Sequence, residues 1–218
     1  MQVGPEKKSR VITEKDKKLV AFHEAGHAVL AYLLPGCDEV HEVSIIPRGG
    51  AGGYTMTMPS EEKHYISGAR LRDQIVELLG GHVAEKLVLG DVSTGSTSDL
   101  SRASELARSM VTEYGMSEEI GPVYLGGDQE VFVGRDFGHT RNYSEELAAK
   151  VDEQMSKILH TALDRATQLL SENREKLDRI ASELMEREKL DKDEFVTLMQ
   201  GGTLNPEGGN PIEAILNA

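Results

Sequence analysis

Residues 19–34 read LVAFHEAGHAVLAYLL. The run falls short of the roughly 20 apolar residues that cross a membrane, and the segment before it, EKDKK, is charged. Its apolar flanks instead predict a helix buried inside a globular core. Into that helix the sequence sets His23, Glu24 and His27. Burying three titratable side chains costs free energy unless they are paired or bind something. A fold for this chain therefore has to enclose this helix and give the three groups a common partner.

The rest of the chain can supply the enclosure. At 218 residues, 39% of them hydrophobic, it can form one large domain or a domain with a helical extension. A net charge of −13, from 37 acidic and 24 basic residues, excludes nucleic-acid binding through a broadly basic surface. The acidity is spread over the second half and reads as a solvated helical surface. Cys37 is the only cysteine, so neither an internal disulfide nor a thiolate metal cluster can form within one chain. That suits a reducing compartment. The opening MQVGPEKKSR lacks the apolar segment of a secretory signal. With no membrane-spanning run either, the chain as given is expected to be soluble.

Residues 1–13 are polar and read as a linker. A helix is expected from Asp16 to Leu34, stopped by Pro35. Over 40–58, VSII and GYTMTM flank a Gly-rich turn and predict a small hairpin or sheet. Pro47 and Pro59 at the strand ends point to edge positions. Residues 67–89 have apolar spacing of about 3.6 and read as one helix. Gly80 and Gly81 fall inside it, at roughly 1 kcal/mol each relative to Ala, which close helix–helix approach would explain. After the polar loop GDVSTGST, a helix runs through DLSRASELARSMVTEYG, with Ser and Thr available as N-caps and Gly115 at its stop. Residues 116–142 read as irregular, with short strands or turns. A long amphipathic helix follows over 144–170, then helices near 173–187 and 191–200. The tail 201–218 is rich in Gly, Pro and Asn and reads as disordered. The architecture is mainly α, with a small β element early.

HEAGH, residues 23–27, is an H-E-x-x-H pattern. At about 100° per residue, His23 and His27 lie roughly 40° apart around the axis and one turn along it. Both imidazoles can then reach one ion at about 2.0–2.1 Å, with Glu24 beside the ion as a general base. Gly26 costs helix stability for no local gain and implies a neighbour passing close by. A catalytic zinc takes a third protein ligand and keeps an open position. Glu85, on the glycine-containing helix, and Asp99, at a helix N-terminus where a carboxylate is favourable in any case, both qualify. Spacing does not choose between them. His41, His64, His82, His139 and His160 lack ligand spacing among themselves and read as ordinary polar or core residues.

The stretches GPEKKSRVITEKDKKLVAFHEAGHAVLAYLLP, VSIIPRGGAGGYTMTMP, GGHVAEKLVLGDVSTGSTSDLSRASELARSMVTEYGMSEEIGPVYL and VFVGRDFGHTRNYSEE occur in order over about residues 4–200. Together they resemble the peptidase domain of the FtsH family of membrane-anchored, ATP-dependent zinc metalloproteases. The resemblance implies a mainly α, helical zincin-type domain over 14–200. A small β-hairpin or sheet lies near the active site, and a C-terminal helical region follows. It implies one zinc per chain on His23, His27 and Asp99, and Glu24 as the catalytic base. Glu85 would orient a ligand, although the usual GGR of the family is GGH here, with His82. The substrates implied are unfolded or membrane-extracted polypeptides. The strand GGYTMTM reads either as an edge that pairs with an extended substrate or as a plain structural edge.

The resemblance further implies a homo-hexameric ring at the cytoplasmic face of a bacterial inner membrane, or an organelle equivalent. ATP would act through an ATPase domain that this chain lacks, and membrane contact through N-terminal segments that it also lacks. GRD at 134–136 reads as a structural ion pair. The competing reading is a catalytically silent module that assembles the ring and binds polypeptide without cutting it.

Overall fold

The computed structural model describes residues 13–48, 52–59, 65–126 and 143–204. Residues 1–12 of the linker expected over 1–13, GRD at 134–136, His64, His139 and residues 205–218 of the tail expected over 201–218 lie outside the described residues.

Helix α1, Glu14–Leu33, is the enclosed helix that the sequence demands. Thr13 starts it: its hydroxyl oxygen accepts the Asp16 N–H at 3.1 Å, and Glu14 and Asp16 face the positive end of the helix dipole. Leu34 ends it in an extended conformation, as a residue before proline must. Every residue from Ala21 to Ala31 is buried, because α1 is packed on several sides rather than along one stripe.

Strands β1, Glu39–Ser44, and β2, Tyr54–Met58, form the expected hairpin, antiparallel, with a register slip between Val40 and Glu42. A third strand completes the sheet. β3, Lys189–Asp191, pairs antiparallel with the other side of β1, giving the order β2-β1-β3. The sequence reading missed β3, since three residues show no alternation and sit against a helical pattern. It also misread Pro47, which lies beyond the end of a central strand rather than marking an edge. Pro59 does directly follow an edge strand, β2.

The helix expected over 67–89 is two helices, α2, Gly68–Leu78, and α3, Gly80–Leu89. Leu79 breaks the ladder, with ψ at −5° and its N–H shared between the carbonyls of Ile75 and Glu77. The glycine pair follows at once and admits α1. A side chain on Gly26 would overlap the Gly80 carbonyl oxygen and lie 2.7 Å from the Ala84 Cβ, and one on Gly81 would collide with the His23 ring. Periodicity survives such a break, which is why the pattern looked continuous.

A single 3₁₀ turn, Thr94–Ser96, leads into α4, Thr97–Thr112. Residues 122–126 form no strand. The long helix α5, Glu145–Glu172, lies against α2, α3 and α4, and α6, Arg174–Arg187, lies along α1. The capping box of Asp191 and Glu194 opens α7, Lys192–Met199. One core joins these elements, with Leu30, Ile75, Met110, Leu170, Leu184 and Phe195 fully buried in it.

Candidate metal centre

His23 and His27 share one face of α1, and each ring is fixed through its Nδ1. His23 Nδ1 lies 2.7 Å from Glu85 Oε1, and His27 Nδ1 lies 2.8 Å from the carbonyl oxygen of Glu77. That carbonyl is available because the α2–α3 break interrupts the helical ladder there. With Nδ1 donating in both rings, the two Nε2 atoms keep their lone pairs and converge at 3.1 Å. Asp99, in the first turn of α4, brings Oδ2 to 3.4 Å from the first Nε2 and 3.5 Å from the second.

These three atoms form a triangle suited to one small ion. Three donors on a tetrahedral zinc at about 2.0–2.1 Å stand roughly 3.3 Å apart. Two imidazole nitrogens and one carboxylate oxygen suit zinc far better than calcium or magnesium, which take oxygen ligands.

The electrostatics point the same way. Burial opposes a charge on His23, yet hydrogen bonds with Asp99 and Glu85 and the charges of Glu24 and Glu85 outweigh it and push the ring up to about 10. Burial works against ionised Asp99 as well, but the two imidazoles that face it hold its carboxyl well below the usual carboxylate range. The group as a whole therefore favours a positive charge among its three facing atoms.

The structure places Glu85 beyond the triangle. Its side chain is 0% exposed; Oε2 accepts the Ser93 N–H at 2.5 Å and Oε1 the Ser93 hydroxyl at 3.1 Å, besides its contact with His23. Glu85 therefore orients His23 and anchors the loop that delivers Asp99. The glycine-containing helix gave a signal for its first duty; its partner Ser93 and the Glu77 carbonyl had none. His82 does not join the group. It lies in a separate pocket of about 150 Å³ with Leu79, Leu100 and Leu163. His41 and His160 are exposed.

Glu24, 6% exposed, borders the same space. Burial raises its carboxyl above the ordinary range, with His27 and His23 pulling the other way. Its Oε2 accepts a hydrogen bond of 2.9 Å from the Thr55 hydroxyl on β2. The sequence gave no sign of this contact. Around the group opens a cleft of about 1510 Å³, bounded by α1, the start of α4 and the length of β2. It is larger than the roughly 300–1,000 Å³ of a small-molecule pocket.

An enclosed H-E-x-x-H helix, a carboxylate from a second helix and a long cleft beside an edge strand define a peptidase domain of the metal-dependent kind. The chain belongs to peptidase family M41, whose sequence signature matches residues 10–198. It is 58% identical over 199 residues to the ATP-dependent zinc metalloprotease FtsH 1 of Thermoanaerobacter sp. (strain X514), covering 91% of this chain and 33% of that protein. It is 54% identical over 198 residues to the FtsH of Caldicellulosiruptor bescii (90% and 32%) and 47% identical over 203 residues to that of Bacillus subtilis strain 168 (92% and 32%). The chain spans about a third of the length of these curated relatives.

Proposed function

We propose that this chain is the proteolytic part of an ATP-dependent zinc endopeptidase. His23, His27 and Asp99 hold one zinc ion, and Glu24 is the general base. The observation that carries the reading is the convergence of three ligand atoms, 3.1–3.5 Å apart, beside a buried carboxylate at the wall of a long cleft.

Zinc in such a site supplies Lewis acidity, polarising a peptide carbonyl and making water easier to deprotonate. Glu85 and the Glu77 carbonyl hold the two imidazoles in the tautomer that leaves Nε2 free. Glu24 takes a proton from the attacking water and returns it to the amide nitrogen as the C–N bond breaks, a role its raised affinity for protons favours. β2 is a sheet edge lining the cleft, so an extended polypeptide can pair with it through backbone hydrogen bonds and with little sequence preference. Unfolded or membrane-extracted proteins are the substrates of this reading.

The names of the relatives support ATP dependence for the whole protein. The reading further includes a six-fold ring and membrane attachment, with the ring at the cytoplasmic face of a bacterial inner membrane or an organelle equivalent. Within the chain, residues 1–13 serve as a linker from the ATPase part, 14–200 as the protease domain and 201–218 as a tail. No helix among the described residues is long and apolar enough to cross a membrane.

A silent assembly module would have no use for a base held beside the three ligand atoms. Purified protein should carry about one zinc per chain and cut casein. Glu24→Gln should keep the zinc and lose the cleavage. Equal cutting by both, or none by either, rules the enzyme out.

A further inference from the structure

We propose that Thr55 is a positioning residue for the general base, fixing which oxygen of Glu24 exchanges the proton; this rests on the peptidase reading above. Glu24 Oε2 accepts the Thr55 hydroxyl at 2.9 Å, and the next acceptor in reach, the Glu24 carbonyl oxygen, is farther at 3.2 Å. A hydroxyl has one proton to give, and the carboxylate is both the nearer and the more strongly accepting partner. Among the described residues no other side chain donates to this carboxylate, so Oε1 keeps its lone pairs for the water.

The strand that carries Thr55 is itself pressed onto the base. A Cβ on Gly53 would lie 2.9 Å from Glu24 Cγ, 2.8 Å from Val20 Cγ1 and 2.7 Å from the Ser44 carbonyl oxygen. Any larger residue there would lift the start of β2 from α1. Gly53 thus lets the strand close over the stem of Glu24 while Thr55, two residues on, holds the head. The mount is firm: Thr55 is paired with Val43 of the central strand, and Val43 is fully buried and paired on its far side with Leu190. A carboxylate on three rotatable bonds is useful as a base only while it points at its proton. Here the sheet does the pointing.

The test compares zinc-loaded wild type with Thr55→Val, which keeps the branched shape and loses the hydroxyl, and with Thr55→Ser, which keeps the hydroxyl. Thr55→Val should match wild type in zinc content, thermal midpoint and KM for a casein-derived peptide while kcat falls about tenfold, part of the 10²–10⁴ that a positioned base contributes. Thr55→Ser should recover kcat to within about twofold. In a crystal structure of metal-free Thr55→Val, the Glu24 carboxylate should leave its place while the rings of His23 and His27 stay. A wild-type kcat in Thr55→Val, no recovery in Thr55→Ser, or loss of zinc or thermal stability in Thr55→Val would overturn the assignment. Glu24→Gln run alongside separates the two claims: if it cuts like wild type, the peptidase reading itself has failed.

Discussion

Glu85 and Asp99 are both carboxylates near the same imidazoles, but they do different work, and substitution should separate them. Asp99 is the one whose oxygen lies within 3.5 Å of both Nε2 atoms. Asp99→Ala should abolish stoichiometric zinc by elemental analysis and leave the metal-free fold nearly as stable as before. Glu85→Ala should keep zinc but weaken it by about 10–100-fold, the usual cost of removing a partner that orients a ligand. It also takes the carboxylate partner from the half-buried Ser93 N–H, so chemical denaturation should show a loss of about 1 kcal/mol even without metal. The opposite pattern would reassign the third ligand to Glu85. The i, i+4 histidines were legible in the sequence because helix geometry alone aligns them. Glu85 and Asp99 showed as candidates whose spacing could not separate their duties, and Thr55 did not show at all, because all three reach α1 from elements distant in sequence and only the tertiary fold sets those distances.

At the scale of elements, the contact between α1 and α3 is what brings Glu85 to His23, and it depends on bare backbone. Gly26→Ala should destabilise the protein by about 1–3 kcal/mol in urea denaturation, since the added methyl meets backbone and Ala84 rather than a side chain that can swing away. A smaller effect than half a kilocalorie or so would mean that the helices can part freely. The glycines themselves announced a close approach, but not that the helix breaks there, since the apolar spacing runs on across Leu79.

The sheet has its own tie. Glu42 on β1 accepts hydrogen bonds from Tyr54 on β2 and from Lys189 on β3 at 2.6 Å, joining all three strands. Burial opposes its charge, yet Lys189 and Tyr54 outweigh that and hold the carboxyl below its ordinary value. A carboxyl depressed by folding contributes stability above its unfolded value and loses it as pH falls through the folded one. Glu42→Gln should therefore cost about 1 kcal/mol at pH 7, reduced by partial exposure. The difference from wild type should shrink as the pH is taken below the ordinary carboxylate range. A difference that persists unchanged in acid would trace to packing instead of charge.

For the whole molecule the question is how far the fold depends on its ion. The three proposed ligands sit on two helices, α1 and α4, while the core runs through all seven of the described helices and the sheet. Asp73 adds a tie independent of the metal: it accepts Arg165 of α5 at 2.7 Å and the Gly36 N–H at 3.0 Å. Unlike a small zinc finger, this protein should therefore stay folded when stripped by a chelator. Zinc should instead act by mass action, binding the folded state and raising its midpoint. Free zinc at a thousandfold over Kd adds about 4 kcal/mol. In a chain of this size each kcal/mol moves Tm by about 2–4 °C, so the rise should be roughly 8–16 °C. Each further tenfold in zinc should add about 1.4 kcal/mol until weaker sites interfere. His23→Ala should show a single cooperative transition in calorimetry whose midpoint ignores zinc. A wild-type midpoint that also ignores zinc would mean that no ion binds the triangle, however well its edges match. A zinc-dependent rise equal in His23→Ala would place the ion elsewhere on this acidic surface.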